Sequence, residues 1–429
     1  MSEELWPLPA DWRWKKAAEI AEIVGGGTPP ASDESNFDDA GVPWITPADL
    51  TGYEDTYIAR GRRSLSEKGL ASCGARVLPA GTVLYSSRAP IGYCAIASNP
   101  ISTNQGFKSL VLHDGSVPEF VRYYLLASKE YAESLASGTT FKELSGSRMA
   151  EMLVPVAPEK KQRCIVAKLD SLFKRSQSAR EELARIPRLV ERYKQAILVA
   201  AFRGDLTKQW RNDRFGTTKL CGWTRRQMSD IAEVASGQTP KGIDHHLTEL
   251  GEVPWFKVSS MNSPDNQEYL THSEFRIPES VANHLGLKRF PVGTIVFPKR
   301  GGAIATNKKR KLGVVAGLDL NLMAVTPRAT LPEFLWWWFQ GIDLATLSNG
   351  SNVPQINHGD IEPLVVPIPS SEEQEEIVRY LKQKLDGISG VGSEVTHSTE
   401  LLDRLDLATL AKAFRGELMV ESTAHISCP

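Results

Sequence analysis

The sequence predicts an α+β protein with an internal two-fold repeat, in which two tandem β-rich mixed domains alternate with long helical regions. Short motifs occur twice in the same order: Thr28 recurs as Thr239 and Phe202 as Phe414, at spacings of 211 and 212 residues. The first part of each half has short apolar runs after Gly-Thr turns, which is typical of β-strands. The second part has apolar residues at four-three spacing, which is typical of helices that pack along a seam.

The repeat extends over nearly the whole 429-residue chain. Near the start of each half, Gly26-Gly27-Thr28-Pro29 returns as Gly237-Gln238-Thr239-Pro240, and near the end Ala201–Leu206 returns as Ala413–Leu418. A chain of this length is too long for one core. We therefore predict β-rich domains at residues 1–157 and 211–369, and helical regions at residues 158–210 and 370–429.

Within the β-rich domains, glycine turns predict the start of strands and prolines predict the start of helices. The runs from Gly81 and Gly293 enter strands, whereas Pro118 and Pro332 each stand at the first position of a helix. The aromatic residues that follow both prolines are predicted to belong to the helix core rather than to a surface that stacks on bases.

The helical regions predict coiled-coil seams. From Ile165 to Ala200 the seam has one polar member, Ser176, and Pro187 predicts a kink or a restart of the helix. The second seam is weaker, because three glycines interrupt it. One interpretation is a helical hairpin within the chain that has no function beyond spacing. We favour the interpretation that this spacing is itself the function of the helices. The residues predicted to form helix or partner contacts are Ile165, Leu169, Leu172, Ile186, Tyr193, Ile197, Phe202, Arg203, Ile377, Leu381, Leu405, Phe414 and Arg415.

Composition limits the possible locations and partners. No apolar run reaches the roughly 20 residues of a membrane helix, and the first residues lack the pattern of a secretory signal. The five cysteines form no CxxC pair, so we expect them to be reduced, in a cytoplasmic protein without membrane contact. The net charge of −1 means that a nucleic-acid binder must concentrate its positive charge locally or obtain it from a partner.

Motifs of catalysis are missing from the sequence. It has no GxxxxGK[ST] phosphate loop and no Asn/Asp-Pro-Pro-aromatic tetrapeptide of the amino-methyltransferases. The adjacent pair His245-His246 is a poor metal site, because neighbouring side chains on a strand point to opposite faces. We therefore predict no catalytic residue, no metal and no cofactor.

A basic stretch is the main candidate for DNA binding. Six of the thirteen residues from Lys299 to Lys311 are basic, so the stretch could contact phosphates and base edges. A solvated loop is the ordinary interpretation of such a run. The equivalent stretch of the first half, Tyr85–Gly92, follows a matching strand with far less charge, as two domains that recognise different sequences would require. The predicted DNA-binding residues are Ser86, Ser87, Arg88, Asn104, Gln105, Lys299, Arg300, Asn307, Lys308, Lys309, Arg310 and Lys311, with Arg60, Arg62 and Arg63 as weaker candidates.

These motifs resemble the specificity subunit of Type I restriction-modification enzymes. The resemblance rests on the two Ala-Phe-Arg-Gly-(Asp/Glu)-Leu motifs, on Ile186–Leu198 and on the segment from Val154 to Asp170. It implies two target-recognition domains that each recognise one half of an asymmetric bipartite site in double-stranded DNA. It also implies antiparallel coiled-coil helices that separate the domains and dock two adenine-methyltransferase (modification) subunits, with restriction subunits added for translocation and cleavage.

Other functions remain open at this point. A stand-alone DNA-binding adaptor would need the same architecture, an autonomous DNA enzyme would need motifs that we do not find, and a pure spacer would leave two differently decorated domains unexplained. The seam from Ile165 to Ala200 would span about 50 Å, against about 34 Å for a turn of B-DNA. We therefore expect helix length to fix the gap between two half-sites.

Overall fold

The computed structural model describes residues 6–88, 90–138, 142–348, 350 and 353–419. The chain forms two compact units, the first from Met1–Ala184 with Val395–Pro429 and the second from Arg185–Glu394. This division passes through both predicted helical regions. The three predicted boundaries stay predictions, although the long helices begin close to two of them, at Glu159 and Ser371.

The first unit contains a β-rich domain with three sheets. Its strands are β1 (Arg13–Lys16), β2 (Ala21–Gly25), β3 (Phe37–Ile45), β4 (Tyr57–Ile58), β5 (Arg63–Leu65), β6 (Val83–Ser87), β7 (Ile91–Ala97), β8 (Ser102–Thr103), β9 (Lys108–Leu112) and β10 (Leu153–Val156). They form a five-stranded sheet of order β2-β9-β6-β7-β4, a three-stranded sheet of order β5-β3-β8, and the pair β1-β10. The pairs β3/β8 and β4/β7 are parallel, and the other pairs are antiparallel.

The second unit repeats this topology strand for strand. Its strands are β11 (Thr224–Gln227), β12 (Ala232–Ser236), β13 (Val253–Phe256), β14 (Tyr269–Leu270), β15 (Arg276–Ile277), β16 (Ile295–Pro298), β17 (Arg310–Leu312), β18 (Gly317–Leu318), β19 (Leu322–Pro327) and β20 (Val365–Ile368). The sheet orders are β12-β19-β16-β17-β14, β15-β13-β18 and β11-β20. The predicted α+β class and the two-fold repeat are confirmed.

Helices pack on the sheets, and long helices follow the last strand of each half in the sequence. They are α1 (Ala17–Ile20), α2 (Glu67–Ala71), α3 (Pro118–Ala127), α4 (Lys129–Leu135), α5 (Gly146–Glu151), α6 (Glu159–Phe202), α7 (Lys208–Phe215), α8 (Met228–Ile231), α9 (Glu279–His284), α10 (Pro332–Gln340), α11 (His358–Ile361), α12 (Ser371–Ser389) and α13 (Val391–Phe414). Both predicted proline starts are confirmed, at α3 and α10. Their aromatic residues contribute to the cores, as Phe120 and Phe334 show.

The repeated Ala-Phe-Arg-Gly motifs complete the two cores. In the first unit the Phe414 ring lies 5.1 Å from the Phe120 ring and 5.3 Å from the Tyr124 ring. In the second unit the Phe202 ring lies 5.3 Å from the Phe334 ring. Because these aromatic residues remove apolar surface from water, the Phe414 motif stabilises the first β-rich domain from the far end of the sequence, whereas the Phe202 motif stabilises the domain that follows it.

In the first unit, α6 packs against α13 in antiparallel orientation. Ser176 Oγ donates a hydrogen bond to Asp406 at 2.7 Å, and Arg180 pairs with Asp406 at 2.7 Å and with Asp403 at 2.8 Å. The polar member of the predicted seam thus has a polar partner. The helix α6 is continuous through Pro187, so the predicted restart is wrong. A proline removes one N–H donor from a helix, but the α-helical residues on both sides of Pro187 continue without a break.

Most residues of the two predicted seams lie inward. The side chains of Ile165, Leu169, Ile197, Ile377, Leu381 and Phe414 are buried, and those of Leu172, Ile186 and Phe202 are half-buried. Tyr193 and Leu405 are 45% and 56% exposed, and Arg203 and Arg415 are exposed. The neighbouring Asp406 accepts the hydrogen bond from Ser176 of α6, and the predicted helix or partner contact of Leu405 stays a prediction.

Two expectations from composition can be compared with the described residues. Cys73, Cys94 and Cys221 are free thiols, whereas Cys164 is disulfide-bonded, so the prediction of a reduced thiol is wrong there; Cys428 lies outside the described residues. Sequence spacing does not exclude a bridge between distant cysteines.

No helix in the described part of the chain combines the length and hydropathy required to cross a membrane.

Candidate nucleic-acid interface

Four backbone segments meet in the first unit and form a surface that we name the first platform (residues 26–29, 86–88, 104–106 and 143–144). Gly27 N donates to the Thr103 carbonyl at 3.0 Å, and Ser87 N donates to the Gly106 carbonyl at 2.7 Å. Leu144 N donates to the Ser87 carbonyl at 2.9 Å. These bonds join the turn before β3, the β6–β7 turn, the loop after β8 and the segment before α5.

The second unit holds an equivalent surface, the second platform (residues 237–240, 298–301, 319–321 and 354–356). Gln238 N donates to the Leu318 carbonyl at 2.8 Å, Lys299 N to the Asn321 carbonyl at 2.9 Å, and Ile356 N to the Lys299 carbonyl at 2.9 Å. Each bond corresponds to one in the first platform at a spacing of 211 to 215 residues. The chain therefore builds one backbone framework twice.

The repeated glycine of the Gly-x-Thr-Pro motif is explained by a close approach of two backbones. A Cβ atom on Gly26 would lie 1.9 Å from the Asn104 carbonyl oxygen, and a Cβ atom on Gly237 would lie 2.1 Å from the Asp319 carbonyl oxygen. Only glycine permits these contacts. The motif therefore sets the position of the loop after β8 and of its counterpart after β18.

The first platform carries an arginine whose charge is partly balanced. Arg88 lies 3.6 Å from the Glu143 carboxylate, which also lies 3.7 Å from Lys108 Nζ. The Arg88 side chain is 36% exposed. The Asn104 side chain accepts a hydrogen bond from Gly106 N at 2.9 Å, which stabilises the loop, and the neighbouring Gln105 is exposed.

The second platform has different side chains on the same backbone. Arg300 is exposed and stands where Arg88 stands in the first platform, and Arg300 and Gln355 form a backbone bridge like that of Arg88 and Glu143. Lys299 is half-buried and donates to Ser236 Oγ at 2.8 Å. Burial, and then the neighbouring Arg300, lower the pKa of Lys299. The exposed residue of the loop here is Leu320.

Two serines predicted to bind DNA are buried. Ser86 Oγ donates to the Pro90 carbonyl and accepts from Tyr93 N, both at 2.8 Å. Ser87 Oγ donates to the Gly106 carbonyl at 3.1 Å. Both hydroxyl groups therefore stabilise the β6–β7 turn, and the prediction that they contact DNA is corrected. Ala89, within the stretch predicted to match the basic one, lies outside the described residues.

The basic stretch of the second unit is an insertion between β16 and β17, and its last three cations point inward. Lys311 is 1% exposed and its Nζ lies 2.8 Å from Glu333 and 2.9 Å from Glu268. Lys309 donates to the Asn307 side chain at 2.9 Å and to the Ile342 carbonyl at 2.6 Å. Arg310 is half-buried and donates to backbone carbonyls, including that of Met261 at 3.1 Å.

These environments explain the pKa shifts of the three cations. Burial lowers the pKa of Lys309 to about 8 and also lowers the pKa of Arg310. Burial opposes the charge of Lys311 too, but its hydrogen bond to Glu333 and further bonds raise its pKa overall. The predicted DNA contacts of Lys309 and Lys311 are corrected, because both ammonium groups have structural partners within the unit. Arg310 is likewise held by backbone carbonyls.

The other candidates lie closer to solvent. Lys308 is half-buried and its ammonium group contacts the Asn262 side chain. Asn307 has a left-handed backbone, with φ of 51°. Its side-chain oxygen accepts hydrogen bonds from Lys309 Nζ and from Leu344 N. Arg62 is 82% exposed, Arg60 is exposed, and the Arg63 guanidinium lies over the Phe37 ring at 3.2 Å. Asn307 and Arg63 thus have structural partners.

Four side chains of the platforms are not among the predicted DNA-binding residues. Thr28 and Thr239 hold the loops through Gln105 N and Leu320 N, at 3.4 Å and 3.1 Å. Glu143 and Gln355 lie beside the two arginines. The repeated Gly-x-Thr-Pro motif was a signal for the threonines, whereas nothing in the sequence marks the other two.

One scaffold used twice, with equivalent arginines and different neighbouring side chains, defines a class of tandem-domain recognition proteins. The family model described as the Type I restriction modification DNA specificity domain matches residues 9–188 and 221–389, which is more than half of the chain. The chain belongs to this family.

Relatives and solved structures agree with the family. The chain is 29% identical over 432 residues to the Type I restriction enzyme MjaIX specificity subunit of Methanocaldococcus jannaschii, covering 97% of this chain and 96% of the relative. It is 24% identical over 332 residues to the EcoKI specificity subunit of Escherichia coli K12, covering 73% and 68%. A chain from a solved type I R-M system superposes with a TM-score of 0.73 at 19% identity, covering 96% and 100%. The HsdS subunit from Thermoanaerobacter tengcongensis gives 0.63 at 19% identity, covering 97% and 100%.

Proposed function

We propose that this chain is the DNA specificity subunit of a Type I restriction-modification complex and recognises an asymmetric bipartite site, one half through each unit. The observation that carries the proposal is the pair of platforms with the same backbone bonds and different exposed side chains. Two half-sites of different sequence require such a pair. The family membership supports the proposal independently.

The two arginines are the proposed centre of each DNA contact. Arg88 and Arg300 are accessible and are held by backbone bridges at their own positions. A guanidinium can pair bidentately with guanine or with a phosphate. The half-buried Lys299 and Lys308, near the two ends of the basic stretch, would add phosphate contacts. Asn104 and Gln105 supply the amide groups on the first platform.

We further propose that the chain is non-catalytic and acts with two modification subunits and with restriction subunits. Its net charge of −1 gives little general attraction to DNA, so the partners would supply that attraction. Exposed apolar residues on the long helices, among them Leu189, Tyr193 and Leu405, are suited to dock those partners. Methylation or cleavage of DNA by the purified chain alone would contradict this part. Cytoplasmic localisation stays a prediction.

Helix length would set the distance between the half-sites. The helix α6 has 44 residues and is therefore about 66 Å long. Removing one heptad between Leu169 and Val190, with a matching heptad from α13, should shorten the preferred gap. An unchanged gap in the recognised site would contradict this role of the helices.

The main experiment is co-expression with a Type I modification (methyltransferase) subunit, followed by sequencing that detects methylated adenine in the host genome. We expect a bipartite motif. Exchanging residues 1–157 for those of another family member should change one half of the motif only. A methylome without a bipartite motif would contradict the proposed function and favour a stand-alone DNA-binding adaptor.

A further inference from the structure

The loops that follow β8 and β18 each present one exposed side chain at an equivalent position. Gln105 occupies it in the first platform and Leu320, 40% exposed, in the second. The backbone N–H of each residue donates to the threonine of the Gly-x-Thr-Pro motif, Thr28 or Thr239. The two positions are therefore structurally equivalent and chemically opposite.

Both loop tips are fixed by hydrogen bonds within the loop. Asn104 Oδ1 accepts from Gly106 N at 2.9 Å, and Asp319 Oδ1 accepts from Asn321 N at 2.8 Å. Asp319 also accepts from Thr239 Oγ1 at 2.9 Å. A tip held in this way loses little conformational entropy when it binds.

The loop tips lie beside the arginines of the platforms. The residue after each tip, Gly106 or Asn321, accepts a backbone hydrogen bond from the residue before the arginine, at 2.7 Å or 2.9 Å. A base that contacts the arginine therefore has a neighbouring base within reach of the tip. This arrangement suits recognition of adjacent base pairs from the major groove.

The chemistry of the two tips selects different bases. The amide of glutamine can pair bidentately with adenine, as acceptor and donor at once. The leucine side chain offers no hydrogen bond and is complementary to the thymine methyl group. Because the backbone hydrogen bonds that hold the two tips are equivalent, a difference in base preference at this position would come from these side chains.

We infer that Gln105 and Leu320 are equivalent specificity-determining residues, Gln105 contacting an adenine in one half-site and Leu320 the methyl group of a thymine in the other. This inference rests on the proposed function. It adds the assignment of one residue in each unit to one base type. The neighbouring arginines would then contact the adjacent base or its phosphate.

The test uses the complex of the full chain with its co-expressed methyltransferase and a pool of randomised duplexes. We expect Gln105→Leu to reduce the preference for adenine at one position of one half-site about tenfold or more. Gln105→Glu, which keeps the shape but only accepts hydrogen bonds, should shift the preference towards cytosine. The other half-site and the unfolding midpoint should not change, which controls for misfolding.

Leu320 is tested with the thymine methyl group itself. Replacing single thymines of the second half-site by deoxyuracil should weaken binding about fourfold at one position, as loss of one buried methyl group predicts. In Leu320→Ala this penalty should vanish. An undiminished penalty in Leu320→Ala, or an unchanged adenine preference in Gln105→Leu, would overturn the inference while leaving the proposed function intact. If the wild-type complex selects no bipartite motif, the proposed function itself fails.

Discussion

The buried and exposed cations of the basic stretch should respond in opposite ways to removal of their charge. Lys311→Met removes an ammonium group that lies 2.8 Å from Glu333, 2.9 Å from Glu268 and 2.7 Å from Tyr269 Oη. Arg300→Met is the matched control, because it removes one exposed positive charge from the same stretch. The first change should affect folding and the second should affect DNA binding.

The expected magnitude follows from burial. Removing one partner of a buried ion pair costs about 3–5 kcal/mol, because the other charge stays behind without compensation. The carboxylate side chains are 29% exposed at Glu333 and 52% exposed at Glu268, so they keep part of their hydration. We therefore expect Lys311→Met to lower the free energy of unfolding by about 3 kcal/mol, the low end of that range. Arg300→Met should change it by less than about 0.5 kcal/mol.

The assay is urea unfolding of the full chain, followed by tryptophan fluorescence. Trp336 is a suitable reporter in the second unit, because its ring lies 5.0 Å from Lys311 Nζ. Duplex binding of the complex, measured over a salt series, provides the second readout. Arg300→Met should weaken binding and reduce the dependence on salt by about one ion. If Lys311→Met unfolds like the wild type yet weakens binding as Arg300→Met does, the structural role of Lys311 is refuted.

Three further predictions concern the core, the loop and pH. The Phe414 side chain is only 1% exposed, so Phe414→Ala should lower the free energy of unfolding of the first unit by about 3–5 kcal/mol. The Phe202 side chain is half-buried, so Phe202→Ala should lower that of the second unit by less. Urea unfolding measures both. Gly26→Ala places a Cβ 1.9 Å from the Asn104 carbonyl oxygen, so it should alter the preference for the first half-site alone, as measured by duplex selection. Burial lowers the pKa of Lys309 from 10.5 to about 8, so the unfolded chain binds more protons between these values and stability should rise with pH across that window. Unfolding midpoints of Lys309→Met should lack this rise.

The sequence by itself determined the repeat, the fold class and the outline of the helices. These properties follow from local rules: a proline at Pro118 or Pro332 starts a helix, a glycine turn leads into a strand, and four-three spacing defines a buried face. The twice-occurring Gly-x-Thr-Pro motif also marked equivalent points of the two halves. Local patterns suffice where a residue acts on its own neighbours in the chain.

The direction of each polar side chain was decided only by the tertiary structure. Six cations in thirteen residues predicted a DNA-binding surface, yet Lys309 and Lys311 are buried and have partners at Ile342 and Glu333, which lie 33 and 22 residues away in the sequence. The pairing of α6 with α13 likewise brought Asp406 to Ser176, a polar contact that the apolar spacing of α13 does not indicate. Charge and periodicity can be read along the sequence. The partner that makes the burial of a charged side chain favourable belongs to another element of the fold, and only tertiary packing brings the charged side chain and its partner together.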